Sequence, residues 1–131
     1  MDANGDRLHT RREDSAPYIT KDGSTIRELM HPQVHGNRAQ SLAEASVPPG
    51  CTTALHRHAR TEELYHVMSG RGRMRLGDRV FEVGPGDTVH IAPGTAHCIE
   101  NIGEAELRFL CSCSPAYSHE DTELLAHPGS G

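Results

Sequence analysis

Short runs of alternating apolar and polar residues recur along most of the chain. Segments such as GRMRL, DTVHI and ELRFLCSC carry apolar side chains at every second position, which is the spacing that places them on one face of a β-strand. Gly, Pro, Asp or Asn separates these segments, and those residues favour turns. Short strands at regular spacing predict an all-β sandwich or barrel.

The pattern divides the chain into one domain and two extensions. Residues 1–16 are charged and lack periodicity, so we expect them to be disordered. Residues 17–117 hold the strand-like segments and begin with a hairpin around the turn KDGS. The tail, 118–131, offers one helical turn over HEDTELLA before its Pro-Gly end.

Composition narrows the function classes. A chain of 131 residues is long enough for one compact core. Its formal net charge of −5 argues against a nucleic-acid partner. No apolar run is long enough for a membrane span, and the polar start carries no secretory signal pattern, so we expect a cytoplasmic protein.

Four cysteines fit that compartment as free thiols. Two of them are two positions apart and would share one face of a strand, where they are best interpreted as buried small apolar residues. The four are Cys51, Cys98, Cys111 and Cys113.

The stretch GCTTALHRHARTEELYHVMSG, residues 50–70, carries the clearest candidate chemistry. In a strand, His56 and His58 leave the same face about 6.5 Å apart, so both imidazoles could bind one metal ion. A reversal through ARTE would return Glu63 to the same face on the next strand.

Two other interpretations of this stretch remain open at this point. A helix through ARTEELYHVM would make Glu62 a neighbour of His58 or His66 and would change the ligand set. A solvated loop rich in histidine would bind nothing. Gly70 and Gly72, followed by an alternating run, argue against the helix.

A second stretch, GPGDTVHIAPGTAHCIEN, makes a family recognisable: the two stretches together resemble the cupins. The first cupin motif, G-x5-HxH-x3/4-E-x6-G, is matched over residues 50–70. The second, G-x5-PxG-x2-H-x3-N, is matched over residues 86–101, except that Ala92 stands at the proline position and Pro93 follows it. The matching positions are Gly50, His56, His58, Glu63, Gly70, Gly86, Gly94, His97 and Asn101.

The resemblance implies a single antiparallel cupin barrel, a double-stranded β-helix or jelly roll, with one divalent metal in its mouth. The implied ligands are His56, His58, Glu63 and His97. Three imidazoles and one carboxylate suit Fe, Mn, Ni, Cu or Zn, and they leave positions open for a small molecule. Spacing to Gly70 selects Glu63 over Glu62, and the helical interpretation is dropped.

Function is expected to follow the metal. The leading hypothesis is a metal-dependent oxidoreductase of the dioxygenase or oxidase type that acts on a small organic molecule. The alternatives are a metal-dependent isomerase, lyase or decarboxylase, and a non-catalytic module that binds a small ligand. A metal-independent epimerase is disfavoured because all four ligand positions are filled.

Other candidate residues follow from strand phase. Tyr65 shares a face with Glu63, and His90 lies on the strand before the Pro-Gly turn; both are candidates for a catalytic role, although packing or solvent exposure would also explain them. Phe109 and Cys111 are candidates for lining the pocket. Arginines 71, 73 and 75 are expected on an outer surface, and a homodimer through strand edges is expected.

Overall fold

The computed structural model describes residues 8–126, and within that range the chain is built almost entirely of strands. A short 3-10 helix and one four-residue α-helix are the helical elements in this range. In chain order the elements are the 3-10 helix Arg12–Asp14, β1 Tyr18–Ile19, β2 Thr25–Met30, α1 Pro32–His35, β3 Ser41–Val47, β4 His56–His58, β5 Glu62–Ser69, β6 Gly72–Leu76, β7 Arg79–Val83, β8 Thr88–Ile91, β9 His97–Asn101, β10 Leu107–Ser114 and β11 Thr122–Leu124.

The strands form two antiparallel sheets. One has the order β1-β2-β3-β10-β5-β8 and the other the order β11-β4-β9-β6-β7. Neighbours such as β10 and β3 are far apart in sequence, so the connections cross between the sheets, as in a jelly roll. The predicted antiparallel all-β barrel is confirmed.

The core lies between the two sheets and follows the alternation along the strands. In β5 the exposed and buried positions alternate strictly from Glu62 to Met68, and β10 buries every second residue from Leu107 to Cys113. The largest buried apolar side chains include Phe109 and Met74, each worth about 1.5–3 kcal/mol on burial. The strand interpretation of the segment after His58 is therefore correct, and no helix forms there.

Gly70 allows β5 and β10 to approach closely at the end of the first motif. Its φ of +88° lies in the left-handed region, which side chains disfavour. A Cβ atom at this position would lie 2.8 Å from both the carbonyl oxygen of Glu106 and the Cα atom of Leu107. Only glycine fits this turn without backbone movement.

Near each end, the described residues form an element that the sequence did not predict. Residues 1–7, part of the segment expected to be disordered, lie outside the described residues, whereas Arg12 sits in the 3-10 helix and pairs with Glu44 of β3 at 2.8 Å. The helical turn predicted over 119–126 is wrong. Thr122–Leu124 forms β11 instead, because this segment pairs with the edge of β4 in an antiparallel arrangement.

A search of residues 8–126 finds no helix of the length and apolarity that a bilayer crossing demands.

Candidate metal centre

Four side chains from three strands converge inside the barrel. His56 and His58 leave the same face of β4, Glu63 comes from β5, and His97 lies directly opposite His56 on β9. All four are buried, and one ligand atom from each lies within 4.8 Å of the others. The structure thus brings together the four residues that the two sequence motifs indicate.

The hydrogen bonds behind the imidazoles fix their tautomers. Nδ1 of His56 lies 2.9 Å from the carbonyl oxygen of Ala54, and Nδ1 of His97 lies 2.9 Å from that of Thr95. A carbonyl only accepts, so each Nδ1 carries a hydrogen and each Nε2 keeps its lone pair. The lone pairs of these two residues are therefore available to a metal ion, as in other metal-binding histidines.

Several buried polar atoms at this centre have no hydrogen-bond partner among the described residues. They are Nε2 of His58, Nε2 of His97 and Oε1 of Glu63. The carboxylate oxygen lies 3.2 Å from the first nitrogen and 3.3 Å from the second. Buried acceptor atoms that face one another without a hydrogen are costly unless a cation lies among them.

The protonation tendencies agree with a cation site. Although burial raises the pKa of Glu63, the two imidazoles that face its carboxylate, His58 and His97, outweigh it and bring the pKa to about 2. Burial, followed by repulsion from His97, lowers the pKa of His56. An ionised carboxylate and a neutral imidazole are the forms that bind metals.

The donor set therefore fits one divalent transition metal. Imidazole nitrogens suit Zn, Cu, Fe and Ni, whereas Ca and Mg prefer oxygen ligands. A closed structural zinc site usually contains cysteine, and none of the cysteines belongs to this cluster.

The thiol of Cys113 contacts the other oxygen of the carboxylate. Cys113 pairs with Glu63 across β10 and β5, and its Sγ donates to Oε2 at 3.4 Å. Burial raises the pKa of this thiol and also that of Cys111, so both stay protonated. Cys113 therefore orients the carboxylate as a hydrogen-bond donor, which is more than the small apolar role expected from the sequence.

A cavity opens beside the cluster, with mostly apolar walls on one side. Ile26, Ala43, Ala45, Tyr65, Phe109 and Cys111 are among its lining residues. Phe109 and Cys111 thus line the pocket, as the strand phase indicates. His56, His58 and Glu63 of the cluster line the same cavity.

Asp22, which the sequence analysis did not single out, places a second carboxylate in the cavity. Its Oδ2 lies 3.8 Å from Nε2 of His56, while Ser24 donates to its Oδ1 through both the backbone nitrogen and Oγ, at 2.9 and 2.6 Å. The backbone nitrogen of Ala54 donates to the carbonyl oxygen of Asp22 at 2.7 Å and holds the turn against the entry to β4. The turn signal KDGS was visible in the sequence, but its position over the centre was not.

The two candidate catalytic residues have different positions. Tyr65 lines the cavity, with its ring centroid 5.8 Å from that of His97, and burial raises its pKa well above the ordinary value. His90 does not line the cavity. It is exposed on the outer face of β8, and its Nε2 lies 2.7 Å from Oε2 of Glu62. The proposal of His90 as a proton carrier in the pocket is corrected, since alternation along β8 turns it outward.

Fold and site together define a double-stranded β-helix with a buried, partly open cluster of three histidines and one glutamate. The chain belongs to the cupin domain family, whose model matches residues 43–113.

Relatives of known sequence and structure support this assignment. An uncharacterized protein of Methanocaldococcus jannaschii is 53% identical over 90% of this chain and 94% of its own length. An oxalate-binding protein of Thermotoga maritima is 32% identical over 64% of this chain, and the match spans 65% of that relative. The structure of the polyketide cyclase RemF from Streptomyces resistomycificus superposes with a TM-score of 0.78 at 24% identity, over 92% of this chain and 87% of that one.

Proposed function

We propose that this chain is a mononuclear metalloenzyme that acts on a small organic molecule by proton transfer, as an isomerase, lyase or decarboxylase. The observation that carries the proposal is Asp22 Oδ2, which lies 3.8 Å from Nε2 of His56 outside the four-residue cluster. A carboxylate beside a metal centre is placed to remove a proton from a molecule bound there.

His56, His58, Glu63 and His97 would hold the metal. When bound, a divalent ion supplies Lewis-acid polarisation of an oxygen on the small molecule.

The remaining steps belong to side chains of this chain. Ser24 holds Oδ1 of Asp22, so Oδ2 keeps a fixed direction toward the cavity and can accept a proton there. The apolar walls around Phe109 limit water, which strengthens each electrostatic interaction in the cavity. Tyr65, a buried phenol that stays protonated, can donate or pack against the bound molecule.

The experiment uses protein loaded with one equivalent of Zn(II), without oxygen, and a panel of small hydroxy and oxo compounds in D2O. Product formation or loss of a carbon-bound proton is followed by NMR. We expect Asp22→Asn to lower the rate at least about a hundredfold while one zinc per chain remains. Asparagine can still accept from Ser24, so the turn should keep its shape.

Glu62→Gln is the matched control, since Glu62 lies on the outer face against His90. It should leave the rate unchanged. Turnover that requires O2, or an Asp22→Asn protein as active as the wild type, would contradict the proposal.

An oxidoreductase of the dioxygenase or oxidase type is the second candidate. The donor set is compatible with it, because three imidazoles and one carboxylate also suit Fe, Mn and Cu, and a cavity adjoins the cluster. Oxygen uptake by Fe-loaded protein over the same panel tests this candidate, and its absence would remove it.

A homodimer in the cytoplasm completes the proposal. β1 is a short edge strand, and Ile19 on it is 73% exposed, so a second copy could pair there. Light scattering after size exclusion would give the mass, and a mass of one chain would contradict the dimer. A ligand-binding module without turnover would show saturable binding and no product in the NMR panel.

A further inference from the structure

The cavity beside the four-residue cluster, called the metal cavity, adjoins a second, wider cavity, called the outer cavity. Tyr18, Glu28 and Tyr117 line both of them. The outer cavity lies between β2, α1 and the segment before β11, and its other lining residues include Asp14, His31 and Glu120. A ligand that reached from the metal into the outer cavity would pass the three shared residues.

The charged side chains along this path are carboxylates. Asp22, Glu28 and Glu63 line the metal cavity, and Asp14 and Glu120 line the outer one. Among residues 8–126, neither lining contains a lysine or an arginine. The path is therefore poorly suited to a ligand with two negative charges.

The nearby cations do not line either cavity. Arg12 and Arg108 both bind the carboxylate of Glu44 on the other side of β3. Lys21 donates from Nζ to the carbonyl oxygens of His119 and Thr122, at 3.1 and 2.8 Å.

His31 also stays neutral in this arrangement. Its Nδ1 accepts from the backbone nitrogen of Gln33 at 3.1 Å, and its Nε2 lies 2.8 Å from the carbonyl oxygen of Tyr117. A ring that accepts at one nitrogen and donates at the other carries no charge. It adds no attraction for an anion.

Glu28 offers a specific contact for a ligand at the junction of the two cavities. Its Oε2 accepts from the hydroxyl of Tyr18 at 2.9 Å. Its Oε1 is buried and has no hydrogen-bond partner within the described part of the chain. A buried carboxylate oxygen without a partner is costly, so the Glu28 carboxylate would gain from a hydrogen-bond donor on a ligand once a small side-chain rotation turns this oxygen toward the cavity.

The formal charges of the metal cavity decide the ligand class. A divalent ion contributes two positive charges, and Asp22, Glu28 and Glu63 contribute three negative ones, so one negative charge remains. An added dicarboxylate would raise this to three negative charges in a medium of low dielectric, where repulsion is strong.

This inference rests on the proposed function. We propose that the ligand is a neutral or cationic hydroxy or amino compound whose donor group binds the carboxylate of Glu28. It is not a dicarboxylate such as oxalate. The chain would thus differ in ligand charge from its relative named as an oxalate-binding protein.

The test is calorimetric titration of Zn-loaded protein with two probes, ethanolamine and oxalate, with retained zinc measured by elemental analysis. We expect the wild type to bind ethanolamine more tightly than oxalate. Glu28→Gln should weaken the binding of ethanolamine and strengthen the binding of oxalate, each about tenfold. Glu62→Gln, an exposed carboxylate removed outside the cavities, should change neither.

Asp22→Asn is the second variant, for use if Glu28→Gln does not fold. It should likewise shift the binding preference away from ethanolamine and toward oxalate. Tighter binding of oxalate than of ethanolamine in the wild type, or a preference that neither variant changes, would overturn the inference. Loss of zinc from the wild type would instead overturn the proposed function itself, so the two failures are distinguishable.

Discussion

Thr122 Oγ1 lies 3.0 Å from Nδ1 of His58 and donates its own hydrogen to the carbonyl oxygen of Ser118 at 2.8 Å. Since its hydrogen is used there, the hydroxyl accepts from His58, whose Nδ1 carries the hydrogen and whose Nε2 keeps the lone pair. Thr122 pairs with His58 across β11 and β4. The C-terminal strand therefore sets the tautomer of a residue in the candidate metal centre.

Replacing Thr122 by valine tests this relationship. Thr122→Val keeps the side-chain shape but removes the acceptor, so the correct tautomer of His58 loses its support. We expect metal affinity to fall about 10- to 100-fold. Competition with a chromophoric chelator measures it.

Thr122→Ser is the matched control, because it restores the hydroxyl, and its metal affinity should stay close to that of the wild type. A valine variant with wild-type affinity would show that β11 has no influence on the centre.

The two adjacent glutamates of β5 give a second prediction. Glu63→Gln should reduce bound metal far below one per chain, because the neutral amide removes the anionic ligand from a buried site. Glu62→Gln should retain one metal per chain, since Glu62 points outward to His90. Elemental analysis of both proteins, purified in parallel, is the measurement. Equal metal content would remove Glu63 from the ligand set.

Much of this fold and cluster could be predicted from the sequence. The HxH spacing places His56 and His58 on one strand face, and the two motifs indicate Glu63 and His97. Strand alternation also predicts correctly that Phe109 faces the cavity. These are local sequence patterns, and the pairing and packing of the strands in the barrel bring the four side chains together.

The residues that sequence reasoning missed act across long separations. Thr122 reaches His58 only because β11 pairs with β4, and nothing in HEDTELLA signals an edge strand. Asp22 looked like an ordinary turn residue, and Glu28 an ordinary strand residue. The register of β10 against β5, which sets Cys113 opposite Glu63, is likewise fixed by packing and not by local sequence.

The acid stability of the fold should depend on Glu44. The hydrogen bonds from Arg12, the largest cause, and from Arg108 outweigh burial and lower the pKa of Glu44 below its ordinary value of 4.5. A carboxyl with a lowered folded-state pKa stabilises the fold above the unfolded value, and that stabilisation is lost as the pH falls through the folded value.

Glu44→Gln should therefore lower the urea midpoint at pH 7, and the difference from wild type should shrink as the pH falls below about 4.5. Urea unfolding followed by circular dichroism at several pH values measures both proteins. A difference that is constant across this range would mean that the charge of Glu44 contributes nothing.

The close approach at Gly70 gives a prediction with an internal control. Gly70 and Gly50 both have positive φ, +88° and +76°, but a Cβ at Gly50 would meet nothing within 4 Å. Gly50→Ala should thus cost only the backbone strain, about 1–2 kcal/mol. Gly70→Ala should cost this strain plus about 1–3 kcal/mol for the contact with the backbone of Glu106 and Leu107. Denaturant unfolding of the two variants gives the difference, and equal destabilisation would show that β5 and β10 can separate at this turn without cost.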